Sequence, residues 1–189
     1  MKMENISKVK IRKIEKKSAE KQDDFLVVEE PLEIRLAYGS LENRQQKSIS
    51  VTMRTPGNDF ELAAGFLLTE GIIERGDQIL KIDFVKTFDE ASHENIVKVE
   101  LSPEVNLELD KLERHFYTSS SCGVCGKASI EAVHATELPE LDEQKPKIQA
   151  NVFYQLPETL KEQQSLFEHT GGLHAAALFD QEGKLILVK

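Results

Sequence analysis

Residues 31–38, Pro-Leu-Glu-Ile-Arg-Leu-Ala-Tyr, decide the fold of the first part of this chain. Every second side chain in this stretch is apolar, from Leu32 to Tyr38, and the side chains between them are charged or small. This period of two predicts a β-strand that buries one face. Pro31 marks a break in the chain in front of the strand.

Further strands are predicted on both sides of this segment. Residues 25–28 form a short apolar run before it, and the polar residues 39–47 predict a hairpin loop after it. The return strand is predicted at 48–54. Residues 79–85 and 95–101 predict a second pair of strands, because apolar side chains alternate there as well.

The clearest helix follows the turn Thr55-Pro56-Gly57. Asn58 is a candidate N-cap, and Glu61 follows three residues later, as in a capping box. Gly71 suits the left-handed position that closes a helix. The run 62–68 carries no charged side chain, which predicts that this helix is deeply buried.

A boundary is predicted after Pro103, where a polar stretch extends to about Asp110. It divides the chain into a β-rich part with one buried helix, 1–110, and a second part, 111–189. The expected fold class is therefore α/β in the α+β arrangement, with helices and strands in both parts.

The second part is predicted to hold helices at 128–135 and 156–168, separated by a loop at 137–150. Two strands follow, at 174–179 and 185–188. The chain stops inside the apolar second strand, which predicts that this part is incomplete at the carboxy terminus.

Charge and composition narrow the class of protein. The net charge of −9 argues against general binding to nucleic acid or to an anionic membrane. The first 22 residues hold eight Lys/Arg against three Glu, a basic arm that indicates a solvated edge strand or a surface for an acidic partner or nucleotide. No apolar run is long enough to span a membrane and no signal peptide is recognisable, so we expect a cytoplasmic protein without a disulfide framework.

The segment 116–129 carries both cysteines, as Cys122-Gly123-Val124-Cys125. Three serines precede it and glycines flank it, which favours a loop that enters a helix. The amino terminus of a helix and the nearby cation of Lys127 stabilise a thiolate, and a thiolate is the nucleophilic form of sulfur. A second thiol two residues away can resolve or shield the first.

Four interpretations of this CxxC segment compete. A structural zinc site needs two more ligands, and the candidates are His115, His134, His169 and His174. Dithiol–disulfide exchange fits the spacing, but a serine-rich loop replaces the strand expected before it. Two packed core cysteines lack an apolar wall here. The fourth interpretation is persulfide transfer, which needs an exposed, nucleophilic and flexible cysteine.

Two residues outside this segment are weaker candidates. His174 follows a Gly-Gly turn and could shuttle a proton, although a partly buried histidine with a structural role fits as well. Arg54 ends a strand just before the Asn58 cap. It could hold a phosphate with that helix terminus, or form a structural ion pair.

Five segments together resemble the FdhD/NarQ family, the sulfurtransferase accessory proteins required for formate dehydrogenase. They occur in the family's order and extend over most of the chain, at residues 28–34, 53–59, 61–73, 120–128 and 170–179.

The resemblance implies a sulfur carrier, a sulfurtransferase that accepts persulfide sulfur from a cysteine desulfurase. Its acceptor would be the molybdenum cofactor with two guanine dinucleotides, which is then competent for formate dehydrogenase. The family's persulfide cysteine matches Cys122, and Cys125 is its partner. No cofactor-binding residue and no metal ligand is assigned. By analogy, a factor that handles a two-pterin cofactor could act as a homodimer.

The resemblance also implies that the later part has a cytidine-deaminase-like fold that helps bind the cofactor's nucleotide. Zinc deaminases combine CxxC with a His-x-Glu segment. This sequence has no His-x-Glu, and its His93-Glu94 pair lacks the spacer residue. We therefore predict neither deaminase activity nor catalytic zinc. The alternative from another class is a zinc-stabilised CxxC module that binds a partner without turnover.

Overall fold

The computed structural model describes residues 5–15, 18–86, 94–107, 147–164, 170 and 175–189. The chain divides into two compact units. One unit comprises Met1–Glu29 with Glu140–Lys189, and the other comprises Glu30–Pro139. The predicted boundary near residue 110 falls outside the described residues and stays a prediction.

A mixed four-stranded sheet organises the unit from Glu30 to Pro139. Its strands are β3 (Glu30–Tyr38), β4 (Gln45–Arg54), β5 (Ile79–Phe84) and β6 (Ile96–Leu101). Their order is β4-β3-β6-β5, with β3 parallel to β6 and the other two pairs antiparallel. The predicted strands around residues 32–38, 48–54, 79–85 and 95–101 are thus confirmed, and the hairpin loop is shorter than predicted because β4 already begins at Gln45.

The alternation of β3 places its apolar side chains in the core. Leu32, Ile34 and Leu36 are at most 1% exposed, because β3 and β6 are the two central strands and one sheet face is covered. The remaining core side chains come from the neighbouring strands, the helix and the turn behind it: Ile49, Ala63, Leu67, Ile72, Ile73, Val97, Val99 and Leu101.

The predicted helix is α1, Asp59–Thr69, which packs on β5 and β6. Asn58 occupies its N-cap position, but its side chain makes no capping hydrogen bond. The prediction of deep burial is wrong. Ala63 and Leu67 are fully buried, whereas Leu62 and Leu68 are 40% and 50% exposed, because the helix covers one face of a single sheet and only its inner stripe meets the strands.

The other unit begins with a long antiparallel hairpin. Its strands are β1 (Ile6–Glu15) and β2 (Ser18–Val27), which pair along their whole length as a separate two-stranded sheet. The short strand predicted at 25–28 is therefore the end of a ten-residue strand. From Ile6 onward, the described residues of the basic arm lie in β1 and at the start of β2, with Val9 and Ile11 half-buried on one face of β1.

The same unit contains α2 (Ala150–Gln163) and the hairpin β7 (Ala177–Phe179) and β8 (Leu185–Val188). The helix starts six residues before the predicted position and continues through Pro157. Its half-buried side chains Val152, Leu156 and Leu160 recur every four residues, so packing on one face outweighs the hydrogen bond that a proline removes.

The fold class is mixed α+β, as predicted, with mostly strands and two helices among the described residues. The expected deaminase-like arrangement stays a prediction, and the predicted helix at 128–135 lies outside the described residues. None of the described helices is long and apolar enough to cross a membrane.

Candidate functional site

The thiol segment that the sequence singles out lies in the undescribed range 108–146. Both cysteines, Cys122 and Cys125, and all five histidines of the chain are outside the described residues. The roles predicted for Cys122, Cys125 and His174 therefore stay predictions. The described residues contain no group of three or more His, Cys, Asp or Glu side chains that could hold a metal ion, and this finding leaves the cysteine-based zinc alternative open.

Arg54 is the candidate residue whose surroundings the structure shows. It is the last residue of β4, and its side chain is 5% exposed. Its guanidinium meets Asp59 at two points, with Nε 2.8 Å from Oδ1 and Nη2 3.3 Å from Oδ2. Nη2 also donates to the backbone oxygen of Glu94 at 3.0 Å. Arg54 thus connects the end of β4 with the first residue of α1 and with the segment before β6.

A second carboxylate lies close to the same guanidinium. Glu30 is the cross-strand partner of Arg54, and its Oε2 is 3.6 Å from Nη1. Nη1 is buried and makes no hydrogen bond within the described residues. A buried guanidinium is tolerated when it is paired and hydrogen-bonded, and Asp59 and the Glu94 carbonyl meet that need at Nε and Nη2.

This arrangement decides between the two interpretations of Arg54. A phosphate would be bound by the guanidinium together with the free N–H groups at the start of α1. The carboxylate of Asp59, itself the first residue of that helix and 4% exposed, already occupies the anionic position. The structure therefore shows Arg54 in a structural ion pair.

Asp59 was not predicted from the sequence as the partner of Arg54. A signal for it exists: an arginine ends a strand, a Pro-Gly turn follows, and an acidic residue opens the helix. Gly57 provides the positive φ of 136° in that turn, which brings the helix start back toward the strand end.

The solvent-facing side of the same sheet carries a set of paired charges. Lys98 Nζ lies 2.8 Å from Glu100 Oε1 on β6, and Lys81 Nζ lies 2.7 Å from Asp83 Oδ2 on β5. The hydrogen bond from Lys98 holds the pKa of Glu100 below its ordinary value. The hydrogen bond to Asp83 raises the pKa of Lys81. These charges neutralise one another, which is typical of a solvated sheet face.

Comparison with known proteins places the chain in a family. The model of the FdhD/NarQ family matches residues 27–189. A sulfur carrier protein FdhD from Streptomyces avermitilis is 42% identical over 183 residues, which cover 95% of this chain and 62% of that protein. The sulfur carrier protein FdhD from Mycolicibacterium paratuberculosis is 44% identical over 88% of this chain. The one from Sulfurisphaera tokodaii is 36% identical over 95% of this chain. The chain spans about six tenths of the length of these relatives, from 59% to 62%.

A solved structure shares the fold. It is the crystal structure of a protein from Desulfotalea psychrophila that is described as a formate dehydrogenase accessory protein. The superposition has a TM-score of 0.65 at 18% identity and covers 97% of this chain and 62% of that chain. With the family match over most of its length and relatives above 30% identity, this chain belongs to the FdhD/NarQ family.

Proposed function

We propose that this chain is a sulfur carrier of the cytoplasm that holds sulfane sulfur as a persulfide on Cys122. A cysteine desulfurase would donate the sulfur, and the molybdenum bis-guanine-dinucleotide cofactor needed by formate dehydrogenase would accept it. The observation that supports this proposal best is the family membership, together with relatives named sulfur carrier proteins. Cys122 and Cys125 are the only cysteines of the chain, so they are its only thiols for such chemistry.

Loading of sulfur onto Cys122 needs no external oxidant. The Cys122 thiolate attacks the outer sulfur of the donor's persulfide, a new S–S bond forms on Cys122, and the donor cysteine leaves as a thiolate. No net oxidation occurs, because one persulfide replaces another. Loading therefore requires a nucleophilic thiolate, which the serine- and glycine-rich segment with Lys127 favours.

Cys125 supplies the second thiol. Once the acceptor is present, the Cys125 thiolate attacks the inner sulfur of the Cys122 persulfide, a Cys122–Cys125 disulfide forms and hydrosulfide leaves to the acceptor. The two electrons come from the pair of cysteines, and a dithiol reductant must then restore them. We propose this division of roles, with Cys122 as carrier and Cys125 as resolving partner, in a sulfurtransferase that acts alone or as a homodimer.

Intact-mass spectrometry tests the loading step. The wild type, Cys122→Ala and Cys125→Ala are each incubated with a cysteine desulfurase and cysteine, and the mass is read before and after treatment with a thiol reductant. We expect a reducible gain of one sulfur in the wild type and in Cys125→Ala, and none in Cys122→Ala. If the wild type gains no sulfur but contains stoichiometric zinc, the sulfur-carrier proposal fails and the zinc-stabilised binding module takes its place.

A further inference from the structure

One face of the β1–β2 hairpin is strongly cationic. Side chains two residues apart on a strand share a face, so Lys8, Lys10 and Arg12 of β1 lie on one side. Residues that pair directly across two strands also share a face, which adds Lys21 and Asp23 of β2 through their pairing with Arg12 and Lys10. Four cations and a single anion of the described hairpin therefore occupy this surface, which we call the cationic hairpin face.

Most of these cations are unneutralised. Lys8 Nζ lies 2.6 Å from Asp23 Oδ2, which engages the single carboxylate of the face. Lys10, Arg12 and Lys21 are exposed, and no ion pair or side-chain hydrogen bond connects them to another described residue. Within the part of the chain that the structure describes, the surface thus presents three unpaired positive charges, although the net charge of the chain is −9.

The cross-strand pair Arg12 and Lys21 opposes folding of the hairpin. The two residues are direct partners in the strand register, and like charges in that position destabilise an antiparallel pair. An isolated two-stranded hairpin is only marginally stable. A repulsive pair in the half nearer the turn lowers that stability further, unless an anion lies over the face and relieves it.

The charge and spacing of this face fit an acidic protein segment. Cations on alternate residues of a strand stand about 7 Å apart, and alternate carboxylates of an extended peptide have the same spacing. A nucleic acid is the poorer match, because its charge density is higher and the net charge of −9 therefore repels it more strongly than a short acidic segment. Apart from Val27, the hairpin precedes the range 27–189 that the family model matches.

We propose that the cationic hairpin face is a docking surface for an acidic, extended segment of a partner protein. The proposal is independent of the thiol chemistry, since the hairpin contains neither cysteine. The partner's carboxylates would lie over Lys10, Arg12 and Lys21, and they would neutralise the repulsion between Arg12 and Lys21.

Binding is measured by fluorescence anisotropy with the full chain and a labelled peptide of alternating glutamate and serine, as long as β1. We expect the peptide to bind at low salt, the affinity to fall as salt rises, and Lys21→Glu to weaken it about fivefold or more. Lys86→Glu is the matched control, because Lys86 is exposed in the other unit, makes no ion pair with a described residue, and changes the net charge equally.

Hairpin stability provides an opposite readout. Lys21→Glu turns the repulsive pair into an attractive one, so amide hydrogen exchange in β1 and β2 should slow several-fold while peptide binding weakens. If Lys21 had only a structural role, Lys21→Glu would not weaken peptide binding while it makes the hairpin more stable.

Several outcomes would overturn the proposal. Equal loss of peptide binding in Lys21→Glu and Lys86→Glu would mean a nonspecific charge effect. Tighter binding of oligothymidylate than of the peptide would indicate a nucleic-acid surface. Concentration-dependent dimerisation that Lys21→Glu abolishes, measured by sedimentation, would make a second copy of the chain the occupant.

Discussion

Arg54 and Asp59 form a buried two-point ion pair across the turn that joins β4 to α1, with Nε 2.8 Å from Oδ1 and both side chains 5% exposed. Through the Glu94 carbonyl, the same guanidinium also binds the segment that precedes β6. The Arg54 side chain thus connects the end of β4, the start of α1 and the segment before β6, and β6 is one of the two central strands of the sheet.

We expect Asp59→Asn to lower the free energy of unfolding by about 3–5 kcal/mol, because it leaves the buried guanidinium of Arg54 without its buried counter-charge. Glu30→Gln is the control. Glu30 lies 3.6 Å from Nη1 with 43% of its side chain exposed, so its loss should cost less than about 1 kcal/mol. Urea unfolding followed by circular dichroism measures both changes. Equal costs would contradict the assignment of Asp59 as the main partner.

The double variant Arg54→Met with Asp59→Leu sharpens the test. Replacing both members of a buried pair by apolar side chains costs less than the sum of the single changes, because no unpaired charge remains. Simple additivity would show that the two side chains act independently.

The strands of the sheet could be predicted from the sequence because alternation over residues 31–38 is a local property. The partner of Arg54 could not, since an arginine at the end of a strand has the same sequence pattern whether it binds a phosphate or a carboxylate. The charge-free run 62–68 shows a further limit. Apolar residues indicate that a helix packs against something, but its outer side is covered only if a second layer exists.

Packing on the inner stripe of α1 predicts unequal effects of two leucines. Leu67 is fully buried, and Leu67→Ala should destabilise the protein by about 2–5 kcal/mol. Leu62 is 40% exposed, and Leu62→Ala should cost about 1 kcal/mol or less. Urea midpoints and slopes give both values. If Leu62→Ala proved as costly as Leu67→Ala, a further layer would cover the outer side of the helix.

Glu100 should contribute a pH-dependent part of the stability. Its pKa is lowered in the folded protein, chiefly by the hydrogen bond from Lys98, so its contribution is present at pH values above its ordinary pKa. The contribution is lost as the pH falls through the lowered pKa, because the protonated carboxyl no longer attracts Lys98. We expect Lys98→Met to raise the pKa of Glu100 toward its ordinary value, measured by NMR titration of the side-chain carboxyl carbon. Lys86→Met should leave it unchanged, and an equal shift in both variants would refute the local cause.

The turn between β7 and β8 should be intolerant of a side chain at Gly183. Its φ is +83°, and a Cβ there would lie 2.8 Å from Cγ1 of Val152 on α2. We expect Gly183→Ala to cost about 2–3 kcal/mol, of which about 1 kcal/mol is backbone strain and the rest is the contact with Val152. Gly71→Ala isolates the backbone part, because Gly71 has a φ of +68° with no atom within 4 Å of the added carbon.

In a Val152→Ala background the contact disappears but the backbone strain stays. Gly183→Ala should then cost about as much as Gly71→Ala, roughly 1 kcal/mol, in thermal or urea unfolding. If Gly183→Ala cost the same in the wild-type background as in the Val152→Ala background, α2 would not pack against this turn in solution. A smaller cost in the Val152→Ala background would confirm that Val152 of α2 packs against this turn in solution.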